Sequence, residues 1–152
     1  MINQPAPDFH AMTDSGPVAL SDFHGKKLVL YFYPKDDTPG CTLEARGFRD
    51  HHEAFAARNA VVVGVSKDTA KKHASWRTKE CLPFALVADD GTLCALYGAW
   101  RQKKLYGREY MGIARITVLI DEAGVVRQIW DPVKASGHAE QVLAAIAPTP
   151  AE

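Results

Sequence analysis

The chain is poor in cysteine, and what is missing around its cysteines is informative. Only Cys41, Cys81 and Cys94 occur in 152 residues. No two of them form a C-x-x-C pair, which speaks against a dithiol oxidoreductase, and an odd count does not look like a secreted disulfide framework. The six histidines are scattered and none joins a cysteine at zinc-ligand spacing, so no structural metal is expected. Net charge is also lacking, because 18 Lys plus Arg balance 18 Asp plus Glu. That balance gives no reason to expect nucleic acid or an anionic membrane as partner. The longest apolar run, Leu28 to Tyr33, is far too short to cross a bilayer. The opening MINQPAPDFHAM shows no basic segment leading into an apolar one, the pattern of a signal peptide. A cytoplasmic protein is therefore expected. Phosphate-binding and dinucleotide motifs are absent, and no cofactor is expected.

What remains is an ordinary globular composition, 47% hydrophobic and 24% charged. There is no repeat and no low-complexity tract. The reading is a single domain over 1–147, with 148–152 as a short tail that frays.

Strand and helix alternate along the chain. Phe9 to Met12 and Val18 to Leu20 read as short extended pieces around the turn Asp14-Ser15-Gly16-Pro17. Lys27 to Tyr33 is β-rich and continuously apolar, as a buried central strand should be. A helix should start near Pro39 to Thr42 and run to about Arg58, with Leu43, Phe48, Phe55 and Ala56 on its apolar side. Ala60 to Ser66 reads as a second buried strand. Asp68 or Thr69 should cap a helix running to Lys79. Phe84 to Ala88 is expected as a strand and Leu93 to Trp100 as a short helix. Ala114 to Ile120 and Val125 to Trp130 suggest a hairpin, and Gly137 to Ile146 a closing helix. This order predicts an α/β sandwich around a mixed sheet, compatible with a thioredoxin-like domain.

Chemistry concentrates in one segment, Phe32-Tyr33-Pro34-Lys35-Asp36-Asp37-Thr38-Pro39-Gly40-Cys41-Thr42-Leu43-Glu44-Ala45. A buried strand feeds a Pro/Gly-rich loop, and a helix begins at once. Cys41 falls in the first helical turn, where unpaired N–H groups and the helix dipole favour a thiolate. A thiolate can attack a peroxide O–O bond. Thr38, three residues earlier, can curl its hydroxyl toward the sulfur. Pro39 fixes φ and shields the pocket, and the N–H groups of Gly40 and Cys41 can face a bound oxygen. A cation would complete the site, and Arg46, Arg49 and Arg115 are all candidates. The opposing reading, a buried structural cysteine, sits poorly with a loop tip, which is a hard place to hide a thiol.

Tyr33 to Ala45 resembles the active-site signature of the peroxiredoxins, and within them the bacterioferritin comigratory protein group, also called PrxQ. The likeness spans almost the whole chain. It includes Ala6-Pro7-Asp8-Phe9, Leu20 to Lys26, Val65-Ser66-Lys67-Asp68, Tyr106-Gly107 and Gly112 to Asp121. The resemblance implies a thioredoxin-like peroxiredoxin fold and peroxidase activity toward hydrogen peroxide and organic hydroperoxides. It also implies that Arg115 is the active-site arginine and that Glu44 orients the loop or an arginine. Cys41, Thr38 and Arg115 are then the expected catalytic residues, with Pro34, Pro39, Gly40 and Glu44 around the substrate. The group is often monomeric, and no obvious exposed apolar strand demands pairing, so a monomer is expected.

The sequence departs from the group at the resolving cysteine. Arg46 stands five residues after Cys41, and Arg77 or a neighbour stands at the alternative position. Cys81 is the one possible resolving residue, at the end of the second long helix, and Cys94 reads as a small core residue. A one-cysteine cycle is favoured, with the sulfenic acid reduced by thioredoxin or by glutathione with glutaredoxin. A thiol–disulfide oxidoreductase on the same fold and a redox sensor or holdase are the competing classes. His51-His52, Lys71-Lys72 and Lys103-Lys104 read as solvated, and Trp76, Trp100 and Trp130 as packing residues.

Overall fold

The structure, a computed structural model, describes residues 1–146. The expected tail at 148–152 lies outside the described residues. Among the described residues, nine strands and five α-helices run in the order β1 (His10–Thr13), β2 (Gly16–Ala19), β3 (Lys27–Phe32), α1 (Pro39–Asp50), α2 (His52–Ala57), β4 (Ala60–Ser66), α3 (Ala70–Glu80), β5 (Leu86–Ala88), α4 (Thr92–Leu96), β6 (Trp100–Leu105), β7 (Arg108–Ile113), β8 (Ile116–Ile120), β9 (Val126–Trp130) and α5 (His138–Ala145). Seven strands form one mixed sheet in the order β2-β1-β5-β4-β3-β8-β9, and β6 pairs only with β7.

The sheet is built outward from β3. Its residues from Leu28 to Phe32 are fully buried, because both faces are covered. It pairs in parallel with β4 through the α1–α2 crossover and antiparallel with β8. Successive side chains alternate between two cores. Leu28, Leu30 and Phe32 join Phe9, Leu93, Cys94 and Ile113 on one face. Val29 and Tyr31, with Tyr33 beyond the strand, join Cys41, Ala45, Phe48, Trp76 and Val142 on the other, beneath α1, α3 and α5. Each such large side chain contributes about 1.5–3 kcal/mol by leaving water. Gly64 in β4 is dictated by this packing, since a Cβ there would sit 2.9 Å from Leu86 and 3.0 Å from the Tyr31 ring.

The mixed α/β sandwich is the expected one, and β4 and the capped α3 stand where the pattern put them. Thr69 is the cap of α3, accepting the Lys72 N–H at 3.1 Å. Other expectations need correction. The helix expected from 39 to 58 breaks at His51, whose ring nitrogen Nδ1 lies 2.9 Å from the Gly47 carbonyl. Leu43 is 51% exposed, because the buried stripe of α1 is Cys41, Glu44, Ala45 and Phe48. The helix expected to reach Trp100 stops at Leu96, before Gly98 at φ 76°. Strand β5 is confined to Leu86–Ala88, and β8 begins at Ile116 rather than Ala114. No element was expected between 101 and 113, where the β6–β7 hairpin stands. It turns at Tyr106 (φ 51°) and Gly107 (φ 77°), both left-handed as a tight hairpin turn requires. This hairpin exposes Leu105, Tyr106, Tyr110 and Met111, so the premise that no apolar strand is exposed does not hold. No helix among the described residues is long and apolar enough to cross a membrane.

Candidate active site

Strand β3 delivers the chain to a loop at the C-terminal end of this interior strand. The loop ends at Thr38, whose extended backbone caps α1, and Pro39 takes the first helical position. Cys41 is the third helical residue. The first hydrogen bond of the helix runs from Thr42 N to Thr38 O at 2.8 Å, so the N–H groups of Gly40 and Cys41 precede the ladder. Cys41 is only 1% exposed, against the expectation that the loop would leave the thiol open. The helix turns it inward onto the core face, beside Ala45 and Phe48.

Arg115 stands just ahead of the neighbouring antiparallel strand β8, beside the end of β3. Its backbone carbonyl accepts the Val133 N–H at 3.0 Å, which fixes the residue against the segment after β9. The guanidinium spans two partners. Nη1 donates to Glu44 Oε1 at 2.6 Å, and Nη2 donates to Cys41 Sγ at 3.3 Å. Glu44 is one helical turn after Cys41, so both present the same face to Arg115. Gly40 lets the guanidinium approach the helix start, because a Cβ there would lie 3.3 Å from Nη2. Glu44 is buried, and its Oε2 has no hydrogen-bond partner among the described residues. Burial pushes its carboxyl up to about 7, and the Arg115 charge offsets this only in part. Burial works against the Arg115 charge, but Glu44 and Cys41 hold the guanidinium above its usual value.

Of the three candidate arginines, then, Arg115 is the one at the thiol. Arg46 and Arg49 instead bind the end of α3, through Glu80 Oε1 at 2.6 Å and the Glu80 carbonyl at 3.0 Å. Thr38 differs from the expectation. Its hydroxyl donates to the Lys35 carbonyl at 2.9 Å, closing a turn of the loop rather than reaching the sulfur. Pro34 and Pro39 are exposed and Gly40 is half-buried. Cys81 is exposed and caps α3 in a left-handed conformation, φ 54°. Cys94 is fully buried, and burial, with Asp89 beside it, pushes its thiol up.

Three features escaped the sequence reading. Asp36 in the loop is buried and bonded to Tyr33 and His73. The ligand-type atoms of Asp36, Asp68 and His73 lie within 4.8 Å of one another, but each residue already has protein hydrogen bonds. Lys103 on β6 is half-buried rather than solvated, and burial, then Arg115, pulls its ammonium down. A cleft of about 420 Å³ between the N-terminal segment and α4 contains none of the site residues.

Comparisons with known proteins find relatives across nearly the whole chain. The AhpC/TSA family profile matches residues 2–129. A putative peroxiredoxin bcp of Coxiella burnetii is 49% identical over 144 residues, covering 93% of this chain and 95% of that protein. Peroxiredoxin Bcp of Bacillus subtilis is 49% identical over 144 residues, covering 93% and 92%. The bacterioferritin comigratory protein of Xanthomonas campestris, solved in work on its alkyl peroxide reduction, superposes with a TM-score of 0.87 at 38% identity, covering 91% of this chain and 89% of that one. With a buried thiol under an arginine and these relatives across nearly its whole length, the chain belongs to the AhpC/TSA family, as a peroxiredoxin of the Bcp/PrxQ kind.

Proposed function

We propose that this thiol-dependent peroxidase works through the Cys41 thiolate, with Arg115, Thr38 and the N–H groups of Gly40 and Cys41 around the peroxide. The observation that carries the reading is the single guanidinium that holds both Cys41 Sγ and Glu44. A cation at 3.3 Å favours the thiolate and leaves polarised N–H groups where a peroxide oxygen would arrive. The sulfur attacks one peroxide oxygen as the O–O bond breaks. The S–O bond forms, Cys41 becomes a sulfenic acid, and the departing oxygen takes a proton to leave as water or an alcohol. An external thiol then condenses with the sulfenic acid, releasing water, and a second thiol frees Cys41. Thioredoxin, or glutathione with glutaredoxin, is the proposed donor.

Hydrogen peroxide and organic hydroperoxides are the proposed substrates; the Xanthomonas campestris relative is described for alkyl peroxide reduction. Cys41, Glu44 and Arg115 all come from one chain, so a monomer suffices for the site, and we propose a cytoplasmic monomer. The test is one equivalent of peroxide followed by dimedone and intact-mass analysis. A single adduct on Cys41, lost together with turnover in Cys41→Ser, is expected. Undiminished peroxide consumption in Cys41→Ser would refute the reading.

A further inference from the structure

A nucleophile at 1% exposure meets two opposed demands. Small peroxides must find it held in place, yet a protein thiol can reach its sulfenic acid only if the start of α1 opens. Something must hold the loop shut against that opening. The residues that do so are in the loop itself and in α3.

Asp36 is the centre of this arrangement. Its carboxylate accepts the Tyr33 hydroxyl at Oδ1, 2.6 Å, and faces His73 Nδ1 with Oδ2, also at 2.6 Å. His73 is fully buried, and its Nε2 lies 2.9 Å from the Val87 carbonyl. A carbonyl can only accept, so Nε2 carries a hydrogen. The contact between Nδ1 and Oδ2 then holds one further proton, whichever of the two atoms it rides on. The backbone of Asp36 is tied as well, because its N–H donates to Asp68 Oδ2 at 2.8 Å. Asp68 is itself fixed by the Ser66 hydroxyl at 2.6 Å and by Lys72 at 2.9 Å. One residue further on, Asp37 takes the left-handed conformation, φ 61°, and pairs with Lys79 at 3.0 Å. Helix α3 thus grips two adjacent loop residues, Asp36 through His73 in its first half and Asp37 through Lys79 near its finish.

We infer that the buried Asp36–His73 pair is a positioning latch, which holds the Cys41 loop in its peroxide-reactive form and sets how readily the oxidised loop opens to a reductant. Neither residue touches the reacting atoms. A buried hydrogen-bonded pair of this kind adds little by being present, but it leaves an uncompensated polar group when one partner is removed. Loss of the latch shifts the loop toward its open form. Attack on peroxide then slows, and access to the sulfenic acid improves. Fewer sulfenic acids meet a second peroxide, so resistance to overoxidation rises.

The inference rests on Cys41 as the nucleophile, and its test separates the two. His73→Phe removes both histidine hydrogen bonds, and Asp36→Asn keeps a side chain able to bond Tyr33 and His73. Leu93→Ala, in the core across the sheet from Cys41, controls for lost stability alone. For His73→Phe we expect a tenfold or greater fall in the rate constant with hydrogen peroxide. Dimedone labelling of the sulfenic acid should accelerate several-fold, and a several-fold higher peroxide concentration should be needed to reach sulfinic acid. Asp36→Asn should fall between wild type and His73→Phe on all three readings. Lys79→Ala, an exposed change that tests the outer half of the grip should His73→Phe not fold, should move the same readings in the same direction by about twofold. Leu93→Ala should lower the melting temperature without moving the ratio of labelling to peroxide rates. Wild-type values of that ratio in folded His73→Phe and Asp36→Asn, or in Lys79→Ala, overturn the latch. A wild type in which Cys41 takes no dimedone overturns the nucleophile instead.

Discussion

Arg115 Nη2 stands 3.3 Å from Cys41 Sγ, with the guanidinium aimed there by its second contact, Nη1 to Glu44 Oε1 at 2.6 Å. The three residues come from two distant parts of the chain, 71 to 74 positions apart in sequence. The sheet brings them together, because β8, which follows Arg115, lies antiparallel beside β3, which leads to Cys41.

Arg115→Met removes the cation and keeps much of the volume. A neighbouring guanidinium favours the thiolate, so its loss should slow alkylation of Cys41 by iodoacetamide at neutral pH and slow peroxide attack by at least about 10²-fold. The stability change should be small by comparison, since Glu44 can take up a proton when its partner goes. Alkylation and turnover at wild-type rates would remove Arg115 from the site.

Thr38 offers a sharper division. In the resting loop its hydroxyl is committed to the Lys35 carbonyl at 2.9 Å. A hydroxyl has two acceptor lone pairs besides its one proton, so the oxygen remains able to accept from an arriving peroxide O–H. Thr38→Ser should keep near-normal turnover, and Thr38→Val should lose on the order of 10²-fold. If Thr38→Val turns over within about twofold of wild type, the residue only closes the turn.

How much of this was legible in the sequence follows the local signals. The run KLVLYF could be read as a central strand because burial on both faces leaves no polar alternation. Cys41 could be read from the loop and helix start alone. Arg115 could not, since nothing local separates it from Arg46 and Arg49; only the family resemblance chose it. The β6–β7 hairpin was missed because WRQKKL and REYMGI show neither period clearly and are mostly exposed. Its one signal was the turn at Tyr106-Gly107, where tyrosine is an unusual left-handed residue. Asp36 and His73 were missed for another reason. A buried hydrogen-bond partner 37 residues away leaves no mark on local pattern. The adjacent Asp36 and Asp37 look alike in the sequence, yet one is buried in the latch and the other is exposed.

The pH dependence of stability carries a signature of Glu44. Its carboxyl rises from 4.5 to about 7 in the fold, chiefly through burial. A carboxyl raised by folding binds its proton more tightly in the folded state. Its contribution is therefore full below about pH 4.5, is lost as pH rises toward 7, and is flat above, a span of about 3 kcal/mol. His138, pulled below 6.5 by burial, acts in the opposite sense and costs stability as pH falls below that value. Glu44→Gln isolates the first effect. Denaturant unfolding of wild type and variant from pH 4.5 to 8 should show their difference growing in favour of the variant up to about pH 7. A difference that stays constant over that range would mean that Glu44 is ionised throughout.

The resolving step is the last prediction, and the helix ends decide it. Cys81 follows Glu80, which is bound to Arg46 and Arg49 of α1, so Cys81 lies toward the C-terminal half of that helix and not near its start. Five to eight residues of helix separate those arginines from Cys41, which is roughly 8–12 Å along the axis. A disulfide needs Cα atoms within about 7 Å. Joining the two sulfurs therefore requires α1 to unwind past its first turn, breaking the Arg115 contacts, or α3 to release Glu80. An external thiol needs only the opening at Cys41. Cys81→Ser and Cys94→Ser, singly and together, should each keep steady-state turnover with a small thiol or glutaredoxin as donor. The wild-type sulfenic acid should be trapped by dimedone and should overoxidise when donor is scarce. Loss of turnover in Cys81→Ser alone, with a Cys41–Cys81 disulfide found by mass in the wild type, would make Cys81 the resolving residue. The same result would show that oxidation of Cys41 is followed either by unwinding of the start of α1 or by release of the Arg46–Glu80 clamp.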